Sequence, residues 1–182
     1  MTVYSCPGDF RFSVREYGEV ATVRLPMQTI ALPRVRSATG RRYAADAGEL
    51  RTSGTTATLR VGADQHASCT GQNASTPWDV ARMLGVDYRA VGREPTWSIE
   101  IQDDRYLRFV IEGSSAMHLA LPESTGEAAR RVYRTAGSPG LEVIVEEKPC
   151  REPTMSDPLP HTVTVTYQGI PYHGCGTSLA PA

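Results

Sequence analysis

The sequence predicts a mainly β protein of two small antiparallel β domains, the first a small barrel or sandwich, with one or two short helices, one of them at the junction. Three observations carry this expectation. Apolar and polar residues alternate with period 2, as in Phe10-Arg11-Phe12-Ser13-Val14-Arg15, the pattern of a half-buried strand. β-Branched residues crowd residues 55–61 and 162–167, where a pleated surface accommodates them best. Sixteen glycines and 13 prolines supply turns throughout, and no 3.6-residue period is sustained over the first 72 residues.

Within the first domain, residues 1–72, Phe10 to Arg15 forms the first expected strand. Val20 to Leu25 and Gln28 to Leu32 follow, separated by Pro26-Met27. Pro33 is expected to end the third strand, because proline donates no ladder hydrogen bond. Ser37-Ala38-Thr39-Gly40-Arg41-Arg42-Tyr43 reads as a tight surface loop. After it come Gly48 to Arg51, a turn at Ser53-Gly54, and the strand 55–61. Residues 73–86 form a linker in which Thr76-Pro77-Trp78-Asp79 opens a short helix. Thr76 caps it, Pro77 suits its first position, Asp79 completes a capping box and Gly85 stops it. Val80, Met83 and Leu84 are expected to face inward.

The second domain, residues 87–182, begins with Val91 to Ile101, which runs from a turn into an alternating strand. Asp103-Asp104 is expected to turn this strand into Tyr106 to Ile111. Met117 to Leu121 gives a third strand, and Ser124 to Tyr133 a short helix. Leu141 to Val145 and Thr162 to Tyr167 are strong strands, the latter turned by Gln168-Gly169 into Ile170 to His173.

Charge excludes some functions. Residues 1–72 hold nine arginines against six acidic residues, net +3, and the remainder is net −4. Neither half has the clustered basic face of a nucleic-acid binder. No apolar run approaches the roughly 20 residues of a membrane-spanning helix. Met1 leads straight into the polar Tyr4-Ser5-Cys6-Pro7-Gly8, so a targeting segment is expected to have preceded it. Cysteines stand at 6, 69, 150 and 175. Four cysteines allow three pairings; the spacing suggests Cys6–Cys69 and Cys150–Cys175. Loops of those sizes would contribute at most about 4.3 and about 3.5 kcal/mol through unfolded-state entropy, and imply an oxidising compartment.

The order Tyr4-x-Cys6, short alternating strands, Ser-Ala-Thr-Gly-Arg-Arg-Tyr, a further strand pair and a closing Cys69 resembles the MliC family, bacterial periplasmic or membrane-anchored inhibitors of C-type lysozyme. The resemblance covers roughly residues 3–70. The family's hallmark is a Ser-x-Ser-Gly-x-Lys/Arg-Tyr loop, onto which Ser37, Thr39, Gly40, Arg42 and Tyr43 fall, with Thr39 keeping the second hydroxyl. The resemblance implies a C-type lysozyme as partner and a loop hydroxyl hydrogen-bonded to the two carboxylates of its cleft. It implies charge-assisted bonds from Arg41 and Arg42 to other carboxylates there, and Tyr43 packed at the loop base. It implies a periplasmic protein or an outer-membrane-anchored lipoprotein, with membrane contact only through a lipid anchor. The family's second motif ends in Lys-Gly, where this chain has Ser53-Gly54; Arg51, two residues upstream, is the available substitute. An ordinary β-turn is the plainer reading of the loop.

Residues 88–178 resemble an uncharacterised domain of bacterial lipoproteins. The motifs are Val91-Gly92-Arg93-Glu94-Pro95-Thr96-Trp97, Cys150 with Met155-Ser156-Asp157, and Tyr172-His173-Gly174-Cys175-Gly176. The resemblance brings no activity with it. Reactive side chains concentrate at Glu94, Ser156, Asp157, His161, His173 and the two cysteines. They lack the paired spacing of a zinc site, and no nucleophile elbow precedes Ser156. Glu94-Pro95-x-Trp97 is expected to fix a turn and plug a core. No catalytic residue, metal or cofactor is expected, and the oligomeric state stays open. The expected function is lysozyme inhibition; the alternative is a non-catalytic envelope module that recognises a glycan or protein.

Overall fold

A barrel exists here because each of eight strands can hydrogen-bond two neighbours, including the first to the last. The structure, a computed structural model, describes residues 1–103, 105–127, 129–137 and 140–179. The strands are β1 (Thr2–Ser5), β2 (Arg11–Tyr17), β3 (Val20–Arg24), β4 (Thr29–Val35), β5 (Arg41–Ala45), β6 (Gly48–Ser53), β7 (Thr56–Val61) and β8 (Asp64–Asn73). They follow one another around the sheet in chain order, and β1 pairs antiparallel with β8 from Thr2↔Asn73 to Ser5↔Thr70. Closure leaves no edge strand. Alternation fills the interior with Tyr4, Phe12, Val14, Val23, Leu32, Tyr43, Leu50 and Leu59, all buried.

Cys6 and Cys69 form a disulfide immediately beyond the last β1–β8 pair. A β-bulge makes this contact. Leu59 pairs with His66 and Ala57 with Cys69, so two residues of β8 oppose Thr58 alone, and Ser68 takes φ 58°. Without the extra residue Ser68 would stand opposite Ala57 and Cys69 would face outward, since a one-residue slip exchanges the faces of a strand.

Three expectations for this half change. Strand β1 and the whole length of β8 carry too few alternating apolar residues to read as strands; pairing with each other and with their neighbours makes them so. Pro33 does not end β4. Arg34 donates its N–H to the Glu19 carbonyl (2.7 Å), so the Pro33 nitrogen faces β5, whose pairing covers only Arg34 and Val35. The missing donor therefore costs no ladder bond. The 37–43 run is not all loop: Arg41, Arg42 and Tyr43 belong to β5.

Helix α1 (Pro77–Met83) carries the expected grammar. Asp79 N–H donates to Thr76 Oγ1 (3.1 Å), and Thr76 N–H donates to Asp79 Oδ2 (2.9 Å). Arg11 Nη1 donates to the Met83 carbonyl (3.2 Å), placing a cation at the negative end of the helix. The buried residues are Val80, Ala81 and Leu84, with Met83 only half-buried.

The chain divides into two compact units, residues 1–84 and 85–182. The second unit is a nine-stranded antiparallel sheet among the described residues, comprising β9 (Tyr88–Arg93), β10 (Thr96–Gln102), β11 (Tyr106–Ile111), β12 (Met117–Ala120), β13 (Ser124–Glu127), β14 (Arg130–Arg134), β15 (Leu141–Glu146), β16 (His161–Tyr167) and β17 (Ile170–Ser178). The strand order is β12-β11-β10-β9-β17-β16-β15-β14-β13. In the stretch 91–101 the turn falls at Glu94-Pro95, ahead of β10, and Val91 to Arg93 belong to β9. The helix expected at 124–133 is instead the hairpin β13–β14, with Ser124 opposite Tyr133; pairing with β15 engages the β-branched and aromatic Val132-Tyr133 as a strand. Asp104, of the turn expected at 103–104, and Ala128, of the helix expected at 124–133, lie outside the described residues, as do Ser138, Pro139 and residues 180–182.

Trp97 organises this sheet. Its indole lies on the backbone at Gly92 and Gly174, where a Cβ would stand 2.2 Å from Nε1 and 2.7 Å from Cζ2 respectively. One glycine of each motif, Gly92 and Gly174, is thus part of the bed for one buried ring. On the opposite face, Glu100 accepts from Arg89 Nη1 and from Arg108 Nη1 (3.4 Å), each directly across the sheet. Cys150 and Cys175 form the second disulfide.

Replacing Cys6 and Cys69 together by serine is expected to lower stability by about 2–4 kcal/mol. Urea unfolding of the variant beside the parent measures it; an unchanged midpoint would show that strand pairing alone closes the barrel.

Candidate functional site

The β4–β5 connection runs from Arg36 to Gly40, and all five residues are exposed. Ser37 Oγ donates to the Thr39 carbonyl (2.6 Å), an internal turn of the sort short hydroxyl side chains make. Thr39 Oγ1 has no intramolecular partner among the described residues. Gly40 has φ +62°, and a Cβ there would lie 2.3 Å from the Thr52 carbonyl oxygen and 3.5 Å from Ser53 Cβ. Only glycine fits. That close approach sets the loop beside the β6–β7 turn, which Thr56 Oγ1 fastens by donating to the Ser53 carbonyl (2.8 Å). Ser37, Thr39, Gly40 and Ser53-Gly54 thus share one end of the barrel.

Immediately after Gly40 the chain enters β5, and alternation sends its side chains to opposite faces. Tyr43 turns inward and is buried. Arg41 turns the same way and meets Glu16 (2.5 Å), which follows Phe12 and Val14 along the inward face of β2. Burial, reinforced by the Glu16 carboxylate, pushes the Tyr43 hydroxyl above its ordinary pKa, so it stays protonated at neutral pH.

Arg42 turns outward. Its Nε and Nη2 donate to the two oxygens of Glu49 (3.0 and 3.1 Å), the fork geometry that makes arginine–carboxylate pairs strong. Arg51 Nε donates to Glu49 Oε1, and Arg60 Nη2 to Oε2 (3.3 Å). Three guanidiniums on three strands therefore converge on one carboxylate. Hydrogen bonds from Arg42 and Arg51 hold Glu49 down at about 2, against the opposing effect of burial. The Glu49 side chain is 11% exposed, while Arg51 and Arg60 are 64% and 57% exposed. A depression of about 440 Å³ opens beside them, lined by Glu49, Arg51, Thr58, Arg60 and Gln65.

The expected residues thus fall into two groups. Ser37, Thr39, Gly40 and Ser53 stand together at the barrel end, whereas Arg41, Arg42 and Arg51 stand on strands and each engages a carboxylate of this chain. Arg51, the available substitute for the absent cation at position 53, points to the outward face. Glu49 and Arg60 escaped the sequence reading. The signal was present as outward alternation of Glu49 with Arg51 and of Thr58 with Arg60, but cross-strand register was needed to connect them.

In the second unit the reactive residues disperse. Cys150 and Cys175 are bonded to each other, which removes their thiolates from any metal site. His161 lies on the inward face of β16 with Val163 and Val165, its ring 5.6 Å from that of Tyr88. His173 lies on the outward face, paired with Thr164 and with its Nδ1 3.2 Å from Thr164 Oγ1. Ser156 and Asp157 are exposed in the 150–160 loop, and Glu94 in the β9–β10 turn, where the Glu94–Pro95 peptide is cis. The two histidines occupy opposite faces of the sheet, so among the described residues they do not meet with Glu94 in one site. Among the described residues there is no group of three His, Cys, Asp or Glu placed to hold a metal ion.

The first unit is therefore a closed antiparallel barrel that presents a small hydroxyl-bearing loop. Residues 4–68 match the family model described as membrane-bound lysozyme-inhibitor of c-type lysozyme, MliC. The match spans β1 to β8 and stops short of the second unit. No curated protein and no solved structure matches the chain.

Two outcomes check the geometry. Glu49 sits at about 2 when folded against an ordinary 4.5. Its contribution to stability is complete above pH 4.5 and is lost as pH falls toward 2. Thermal midpoints of the parent should show this acid loss, and those of Glu49→Gln should show less of it, the remainder coming from Asp79 and Glu152, whose carboxyls are also held low; that variant should also lose about 1 kcal/mol at neutral pH, since Arg42 then faces Arg51 directly across the strands. Gly40→Ala should lose about 1–2 kcal/mol from its left-handed backbone alone, read by urea unfolding, and shift the amide signals of Thr52 and Ser53.

Proposed function

We propose that the barrel is a cell-envelope inhibitor of a C-type lysozyme and that the Arg36–Gly40 loop enters the lysozyme cleft. The observation that carries this reading is the pair of exposed hydroxyls held beside Ser53-Gly54 within a domain that matches an inhibitor family. Glycoside hydrolases of this kind present one protonated and one ionised carboxyl group. Ser37 Oγ already spends its proton on the Thr39 carbonyl, so it is suited to accept from the protonated acid. Thr39 Oγ1 retains its proton and is suited to donate to the ionised carboxylate. Each hydroxyl then satisfies a group that would otherwise be buried unpaired, and neither brings a charge into the cleft that must be desolvated. Two disulfides support residence in an oxidising compartment, in the periplasm or anchored to the outer membrane.

Charge shapes the encounter. The first 72 residues are net +3, and C-type lysozymes are typically basic, so the partners repel at long range. Affinity then comes from the loop contacts, and added salt speeds association by screening the repulsion.

Inhibition of a C-type lysozyme in a cell-wall lysis assay tests the reading directly; no inhibition at micromolar protein would refute it. Given inhibition, Thr39→Val should weaken it by roughly tenfold or more, as for a lost hydrogen bond to a charged group, and Ser37→Ala by roughly threefold to tenfold, as for one to a neutral acid. Circular dichroism should be unchanged. The association rate, followed by stopped flow, should rise between low and physiological salt.

A further inference from the structure

The hydroxyl loop has no need of Arg60, Thr58 or Gln65, yet these residues complete the most strongly charged concavity described on the barrel. Three arginines meet one carboxylate there, leaving two positive charges uncompensated. The donors are also incompletely used. Among the described residues Arg51 engages Glu49 through Nε alone and Arg60 through Nη2 alone, so each retains both its other nitrogens. The depression holds about 440 Å³ and adds the Thr58 hydroxyl and the Gln65 amide to its wall. Glu49 fixes the guanidiniums from behind, while their exposed edges line the opening. That combination of rigid forks, spare donors and concave shape is what recognition of a tetrahedral oxyanion requires.

The geometry points to an oxyanion site on the outward face of β5–β8 that takes a phosphate monoester group through Arg51 and Arg60. Charge matching favours phosphate over carboxylate. A phosphate monoester carries about 1.5 to 2 negative charges at neutral pH and three strong acceptor oxygens, close to the two uncompensated positive charges, whereas a carboxylate would neutralise only one. Such a group can come from a soluble phosphate or from a phosphatidate headgroup. Either would tie the barrel to an anionic component of its surroundings independently of any lysozyme.

The test titrates the full chain with inorganic phosphate at constant ionic strength, with chloride as the matched control, while NMR follows the arginine Nε–Hε signals. The expected result is saturable movement of Arg51 and Arg60 in the millimolar range, absent with chloride. Arg60→Glu should weaken binding by roughly tenfold or more. Glu49→Gln should strengthen it, because phosphate then replaces the missing carboxylate, and phosphate should raise the thermal midpoint of that variant more than that of the parent. Circular dichroism checks the fold, and Arg60→Gln stands in if Arg60→Glu does not fold. Equal responses to chloride, shifts that never saturate, or unchanged affinity in the folded Arg60 variant would overturn the site. A second arm uses sedimentation with vesicles containing phosphatidic acid. Binding lost in the Arg60 variant supports the site with a headgroup as its source; phosphate binding without vesicle binding supports it with a soluble source.

Discussion

Everything in the first unit depends on joining β1 to β8. Strand β1 is only four residues long, and its pairing with β8 closes the sheet. The Cys6–Cys69 bond lies directly beside that seam, and a bulge in β8 turns Cys69 inward to reach it. Register, set hairpin by hairpin, decides which residues face the core and which meet on the surface. The position of Gly40 against Thr52, and so of the loop against the Ser53 turn, follows from the same constraint.

Arginine chemistry at the barrel surface is a second consequence of register. Arg42 and Arg51 stand directly opposite each other, an unfavourable arrangement by itself. Glu49 resolves it by accepting from both and from Arg60. Three arginines of the segment are therefore gathered on one face around a single carboxylate, while Arg41 is drawn inward to Glu16. The hydroxyl loop keeps only Arg36 as its own charge, which suits a contact made by small polar groups.

Much of this was legible in the sequence. Alternation located β2, β3, β7, β10, β11, β15 and β16; Thr76, Pro77 and Asp79 located α1; and the cysteine spacing matched the pairing found. The illegible parts share a physical cause. Strand β1, the ends of β8, β9 and the β13–β14 hairpin carry weak or mixed alternation, and they are strands because neighbours offer them hydrogen-bond partners. Pro33 persists within β4 because pairing on one side stops where its nitrogen points. In the candidate site, the hydroxyls and Gly40 were readable from local composition. Glu49 and Arg60 were not, because they come together only across strands.

By itself the sequence determined the chemical types available: alternating apolar residues that demand a sheet, cysteines spaced to clasp it, two hydroxyls and a glycine in one short run, and glycines awaiting a tryptophan. These are local properties, set by side-chain chemistry and backbone freedom within a few residues. Tertiary structure alone decided that Arg41 and Tyr43 turn inward and Arg42 outward, that three arginines share Glu49, and that His161 and His173 stand on opposite faces. Those outcomes depend on strand register, and a single-residue shift would reverse each of them.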